Sequence, residues 1–339
     1  MTESSPLIEC IPNFSVGDDP TKIAAIRRAI AEVRSVRVLH VDAGIAANRT
    51  VITFAGPPEA VVEAAYRGIA IAAQVIDMRT QRGEHPRIGA TDVCPLVPVR
   101  AISTEEVNQF AHQLAARVGE ELHIPVYCYE HSATRPERRR LADIRSGEYE
   151  GLAQKMTDPD WQPDYGPARF NARSGATVIG ARPFLIAYNV NLRTTDAGIA
   201  TDIARDVRET GRLVRRADGS RQRVPGTCPG LRGIGWYIEE YGCAQVSLNV
   251  TDMDKTSVHR AFEEVKRAAR QRGIDVTGSE LIGLAPLRVF LEAGRFYAET
   301  NLPEQELIEM AIDKLGLNDL QAFDPQQRIL EYLLHKGEG

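Results

Sequence analysis

Short apolar runs rich in β-branched residues alternate with amphipathic stretches along almost the whole chain. That alternation confines it to mixed α/β architectures. LIECIPNF opens the pattern, and the spacing then predicts a helix over 21–33. Residues 36–41 and 49–54 read as strands around the polar DAGIAAN. Pro57 and Pro58 open an alanine-rich helix running toward Asp77, since a helix start tolerates proline. DVCPLVPVR is a strand whose two prolines predict an edge or a bulge. Ser103 with Glu106 makes a capping box for a helix ending near Leu122, and PVYCYE is the next strand. Between Glu130 and Gly175 the chain turns polar, Arg-rich and loop-like, and loops that long are functional or disordered. ATVIG and FLIAYNVNL resume the strands. Helix 196–210, an Arg-rich loop 211–232, GIGWYIEE, AQVSLNVTD, helix 255–272 and VTGSELIGL repeat the rhythm before a helical tail over 286–335. The 339 residues suit two domains at ~100–200 residues each. The boundary is expected near Ala181, giving 1–181 and 182–339.

Several function classes fall away early. No apolar run approaches the ~18 residues of a membrane span, and MTESSPLIEC lacks the basic-then-apolar order of a secretion signal. A cytoplasmic protein without a membrane partner is expected. A net charge of −5 argues against nucleic-acid binding, which usually needs a basic face. Of 41 basic residues only six are Lys, leaving 35 Arg. Arg forks suit carboxylates and phosphates, but genomic base composition explains the excess as well, so it identifies no substrate. Cys10, Cys94, Cys128, Cys228 and Cys243 form no CxxC pair, which removes zinc ribbons and redox motifs. They read as buried thiols in a reducing compartment. No phosphate loop, GxGxxG after the first strand, GxSxG elbow, HExxH or kinase signature occurs, and no metal site is expected.

What remains is RGEHPRIGATDVCP, where His85 sits in a Gly/Pro-framed loop beside Glu84 and Arg87. An imidazole so placed can take and give protons near neutrality, and it can equally be structural. Asp42 ends a strand in HVDAGIAANRT, where a carboxylate can orient a catalytic His or cap the turn. NFSVG offers Asn13 and backbone donors to a polar ligand.

Read in order, ECIPNFSVG, VDAGIAANRTVITFAG, IDMRTQRGEHPRIGATDVCPLVPV, GEELHIPVYCYE, IRSGEYE, GATVIGARPFLIAYNVNL, GIGWYIEE and FDPQQRILEYL resemble the formiminotransferase domain family over essentially the whole chain. The resemblance implies an α/β (α+β) protein of two subdomains. Each would be a mixed β-sheet covered by helices, with a substrate cleft or tunnel between them. It implies a cytoplasmic, homodimeric transferase of histidine breakdown. Such an enzyme moves the formimino group of N-formimino-L-glutamate to N5 of tetrahydrofolate and releases glutamate. Tetrahydrofolate would be the co-substrate, with no tightly bound cofactor.

By the same resemblance, His85 is the acid/base and Asp42 its orienting carboxylate. The folate stretch maps onto Gly166, Pro167, Ala168, Arg169, Phe170, Asn171, Ala172, Arg173, Ser174 and Gly175. Asn13, Glu84, Arg87 and Arg182 are further substrate contacts. One departure stands out: animal members read closer to GPSSFVPSWG where this chain has GPARFNARSG. Arg169, Arg173 and Ser174 replace Ser and Trp, removing an aromatic stacking partner and offering forks for the folate carboxylates. Two rival readings remain, an N-formylglutamate-dependent enzyme making 5-formyltetrahydrofolate and a folate-binding module without turnover. The absence of the cyclodeaminase domain fused in animal members is also expected.

Overall fold

The computed structural model describes residues 5–45, 47–83 and 85–335, in two units that divide after Pro183. In the first, β1 (Leu7–Cys10) and β2 (Asn13–Phe14) form one line broken at Ile11 and Pro12. Then come α1 (Pro20–Ala31), β3 (Arg37–Gly44), β4 (Arg49–Gly56), α2 (Pro58–Val75) and β5 (Thr91–Arg100). β4 pairs on one side with β3 and on the other with β1, which in turn pairs with β5. Each β–α–β crossover thus skips one strand, the split βαβ arrangement. α3 (Thr104–Glu121), β6 (Val126–Cys128), α4 (Leu141–Arg145), α5 (Glu148–Lys155) and β7 (Thr177–Ala181) follow. β7 runs parallel to both β5 and β6.

Local chemistry sets the helix starts. Asp19 accepts from the amides of Thr21 and Lys22 ahead of α1, and the expected Ser103–Glu106 box closes the start of α3. One sheet face is apolar and covered by α1, α2 and α3. Cys10, Phe14, Ile52, Phe54, Cys94 and Leu96 pack there against Ile26, Ile30, Ala65, Ile69 and Leu114. Strand alternation sends Asn13, Arg49, Val51 and Val93 to the opposite face, where Val93 meets Ile144 of α4 and Leu152 of α5.

Two expectations change here. β5 is an interior strand, and only the bulge is found: Leu7 opposes Arg100 while Ile8 opposes Pro98. Pro95 needs no donor, because its position lies level with the break between β1 and β2. The long loop over 130–175 is organised around charge. Arg138 and Asp164 pair at 2.6 Å with side chains 2% and 6% exposed, and Arg138 also donates to the carbonyls of Asp160 and Gln162. Ile144, Leu152 and Met156 add a small core with Ile88, Tyr127 and Val178.

The second unit runs β8 (Ile186–Leu192), α6 (Ala197–Val207), the ribbon β9 (Arg212–Arg215) and β10 (Arg221–Val224), then β11 (Leu231–Ile238), β12 (Cys243–Val250), α7 (Val258–Arg270) and β13 (Val276–Ile282). The ribbon replaces the structureless loop expected at 211–232. The strand order β11–β12–β8–β13 repeats that of β3–β4–β1–β5. The mixed sheet expected in both halves is present in the first; here every pairing is antiparallel. The reason is that no strand is added beyond β13, whose free edge meets the chain instead, Ser279 N–H donating to Gly316 O at 3.0 Å. α8 (Leu287–Tyr297), α9 (Glu304–Leu315) and two short helices, α10 (Pro325–Arg328) and α11 (Leu330–His335), form the expected helical tail. Among the described residues no helix is long and apolar enough to cross a membrane.

Candidate active site

The β3–β4 hairpin builds the site. Asp42 opposes Val51, Gly44 opposes Arg49, and Asn13 on β2 also opposes Val51. With a side-chain period of two, Asp42, Arg49 and Asn13 therefore share the face opposite α1, α2 and α3. Asn48, in the turn, draws two other segments to it. Its Oδ1 accepts from Gly17 N–H at 2.7 Å and its Nδ2 donates to Arg82 O at 2.7 Å. Gln81 Nε2 donates to Asn48 O at 3.2 Å. Gly83 completes the fit: a Cβ there would lie 2.4 Å from Ala47 O, so only glycine lets the loop rest on the turn. The loop leaves this anchor and carries His85 to Arg49.

His85 is half-buried. Its Nδ1 is 2.7 Å from Pro86 O, and Arg49 Nη1 lies against both ring nitrogens. A carbonyl only accepts, so the Pro86 contact assigns the hydrogen to Nδ1 and leaves the Nε2 lone pair to face the guanidinium. The ring is therefore neutral. Burial is the first cause holding its pKa down, to about 3, reinforced by the positive charges of Arg49 and Arg145 and opposed by Asp92. Arg49 also donates through Nε to Asn13 Oδ1 at 2.8 Å and again through Nη2, while Asn13 Nδ2 donates to Ile11 O. Burial, then Arg145, lowers the Arg49 guanidinium to about 9. Asp92, 2% exposed, pairs with Arg145 from α4 and accepts from Ile88 N–H at 3.0 Å. Tyr129 is buried nearby, its phenol pushed up to about 12 by burial.

The residues expected from sequence divide sharply. His85 and Asn13 meet through Arg49. Asp42 is half-buried on the same face, yet among the described residues it makes no hydrogen bond to His85; Pro86 O holds Nδ1 instead. Arg87 is buried and fully engaged, with Gln81 Oε1 at 2.8 Å, Glu150 at 2.7 and 2.8 Å and Glu148 at 3.2 Å. It ties the His85 loop to α5 and has no free fork for a substrate. Arg182 is half-buried and donates to Pro183 O. Glu84 lies outside the described residues.

In the stretch 166–175, Gly166 and Gly175 take positive φ, and a Cβ on Gly175 would lie 2.1 Å from Ile88 O. Arg173 donates to Ala73 O and Gln74 O at the C-terminal end of α2, where a cation complements the helix dipole. It is not a free fork, whereas Arg169 is exposed. Asn171 Oδ1 accepts from the amide of the buried Ser174, and Phe170 packs on Tyr149 with ring centres 5.5 Å apart. Tyr149 OH in turn donates to Ala172 O at 2.5 Å. Pro167 and Ala168 complete the turn. Sequence reasoning did not find Arg49, Asp92 or Arg145. The signal available was an Arg opening the apolar strand RTVITF and an Asp inside the apolar run that becomes β5.

Comparison with known proteins matches residues 7–182 to the N-terminal subdomain of the formiminotransferase domain and 187–335 to the formiminotransferase domain. A formimidoyltransferase-cyclodeaminase of Mus musculus is 46% identical over 97% of this chain. This chain spans 60% of that protein's length. Two proteins named glutamate formimidoyltransferase are each 39% identical. That of Streptococcus pyogenes serotype M1 matches over 86% of this chain and 93% of its own, and that of Thermoplasma acidophilum over 91% and 98%.

Proposed function

The chain belongs to the formiminotransferase domain family, and from that premise we propose that it transfers the formimino group of N-formimino-L-glutamate to N5 of tetrahydrofolate, releasing L-glutamate. The reaction exchanges one amine for another on an amidine carbon. The N5 lone pair forms the new C–N bond while the C=N pair moves onto the imino nitrogen. N5 then gives up its proton, the pair on the imino nitrogen re-forms C=N as the bond from carbon to the glutamate nitrogen breaks, and that nitrogen leaves carrying a proton.

One imidazole serves both transfers. His85 Nε2 takes the proton from N5 and returns it to the departing glutamate nitrogen. Nδ1–H stays on Pro86 O throughout, holding the ring in the tautomer that presents Nε2 and stabilising the imidazolium while it lasts. The Nδ1 contact with Pro86 O, beside Arg49 against the ring, is the observation that carries the reading. Asp42, on the same sheet face as Arg49, is assigned to accept from substrate N–H groups rather than to orient the ring. The stretch 166–175 is assigned to folate, with Phe170 and Tyr149 as its aromatic surface and Arg169 reaching a folate carboxylate.

The test is product identity. Enzyme and tetrahydrofolate are mixed separately with N-formimino-L-glutamate and N-formyl-L-glutamate. The expected product is 5-formiminotetrahydrofolate from the first donor, convertible by acid to the methenyl form. Exclusive formation of 5-formyltetrahydrofolate from the second would replace the donor. Folate binding without turnover of either would make the protein a carrier.

A further inference from the structure

Arg49 is the unusual charge in the first unit. The three best-covered paired arginines of this unit each have a carboxylate: Arg87 has Glu150, Arg138 has Asp164 and Arg145 has Asp92. Arg49 has no carboxylate partner among the described residues. Its donors end on two neutral acceptors, Asn13 Oδ1 and the imidazole of His85. The acid whose charge acts on it, Asp92, is already committed to Arg145 and to Ile88 N–H. A part-buried guanidinium without an anion is costly, and a planar fork binds a carboxylate far better than it binds an amide and a ring nitrogen.

Arg49 also covers the atom that the proposed chemistry needs. Its Nη1 rests on His85 Nε2, where it occupies the lone pair of the base. A substrate that frees the base must offer Arg49 something better. The amino-acid donor does so by its own structure, because its α-carboxylate is separated from the reacting nitrogen by a single carbon. A carboxylate anchored on Arg49 therefore sets the scissile C–N bond beside the imidazole.

We propose that Arg49 is the binding residue for the α-carboxylate of the amino-acid donor, and that this anion draws the guanidinium off His85 as it binds. The proposal rests on the formimidoyl-transfer reading above. It also explains how a ring held so far toward neutrality becomes a working base. The charged groups facing His85 are Arg49, Arg145 and Asp92, and Arg145 is already balanced by Asp92. Neutralising Arg49 removes the chief unbalanced positive charge at the ring. Its proton affinity then rises only when the donor is in place, which couples recognition of a carboxylate to activation of the base.

The experiment titrates His85 by NMR in full-length protein carrying isotope-labelled histidine, with its signal assigned by loss in His85→Ala. Saturating L-glutamate without folate should shift the ring signals and raise the titration midpoint by about one unit or more. In Arg49→Gln the free protein should already titrate closer to the ordinary value, and glutamate should cause no shift. The donor KM of Arg49→Gln should rise roughly 10- to 100-fold, as for a lost charged hydrogen bond, with folate Kd within about twofold. Arg49→Lys, which keeps the charge without the fork, should recover part of the donor affinity and guards against a simple folding defect. Glutamate leaving His85 unmoved in the parent protein, or Arg49→Gln keeping the parental donor KM, would overturn the proposal. Failure of the transfer reading looks different: no formimino product from the parent protein, while glutamate still moves His85 through Arg49.

Discussion

Both units follow one topology, two β–α–β crossovers that each skip a strand, with the crossover helices over one sheet face. On the opposite face they part company. In the second unit that face holds an amide network in which only the Gln245 side-chain oxygen lacks a partner among the described residues. Asn189 Nδ2 donates to Glu280 at 3.0 Å, Gln245 Nε2 to Asn191 Oδ1 at 2.8 Å, and Asn191 Nδ2 to Asp319 at 2.8 Å. In the first unit the corresponding face holds a guanidinium against an imidazole, with Asp42 and Asn13 alongside. The same backbone plan accepts either set, so the chemistry resides in a few side chains and not in the fold. The units also differ in how they hold charge. Buried pairs such as Arg138–Asp164 and Arg145–Asp92 organise the first, whereas the second runs from the part-covered pairs of Arg212 and Arg272 with Asp206 to Arg193–Asp275 at 70% and 76% exposure.

That contrast can be broken by measurement, because Trp161 and Trp236 place one tryptophan in each unit. Asp164→Ala strands the buried Arg138 and should cost ~3–5 kcal/mol in denaturant unfolding followed by Trp161 in a Trp236→Phe background. A loss below ~1 kcal/mol would put this pair on the level of an exposed one. Acid should act next. The folded-state pKa of His85, about 3, lies below its ordinary 6.5, so between those values the unfolded chain binds the extra proton. The stability linked to neutral His85 is therefore complete above pH 6.5 and drains away as pH falls toward 3. His85→Ala should flatten that part of the stability profile, and an unchanged profile would mean that the ring is not held neutral.

Ser103→Ala removes the cap of α3 and should cost ~0.5–2 kcal/mol. Asp275→Ala in the second unit should cost under ~1 kcal/mol, and that little should fade in salt. A larger Asp275 effect would erase the distinction between the units.

How much of this could be read from the residues follows from range. The cap of α3 is legible because Ser103 and Glu106 stand three positions apart. The bulge at Pro98 is legible because proline cannot donate, but β5 being interior is not, since that depends on where β1 and β7 arrive. His85 drew notice through its Gly/Pro frame. Its partner did not, because Arg49 and His85 are far apart in sequence and meet only after Asn48 and Gly83 dock the loop on the hairpin turn. The same distance misled the reading of Asp42: adjacency to a glycine turn said nothing about which acceptor would face Nδ1, and the neighbouring Pro86 carbonyl holds it. Arg87 read as a substrate contact and Arg173 as a free fork, since burial against Glu150 and docking on the end of α2 leave no local trace. The repeated strand order has no sequence counterpart at all, because it follows from crossover geometry and not from matching residues.

The central claim is that His85 moves the proton. Its most direct test measures kcat, folate Kd and melting temperature on one preparation of His85→Ala with N-formimino-L-glutamate as donor. The account predicts a folded protein that binds folate nearly as the parent does, with kcat lowered ~10²–10⁴-fold. A folded variant that keeps more than about a tenth of parental kcat would contradict it.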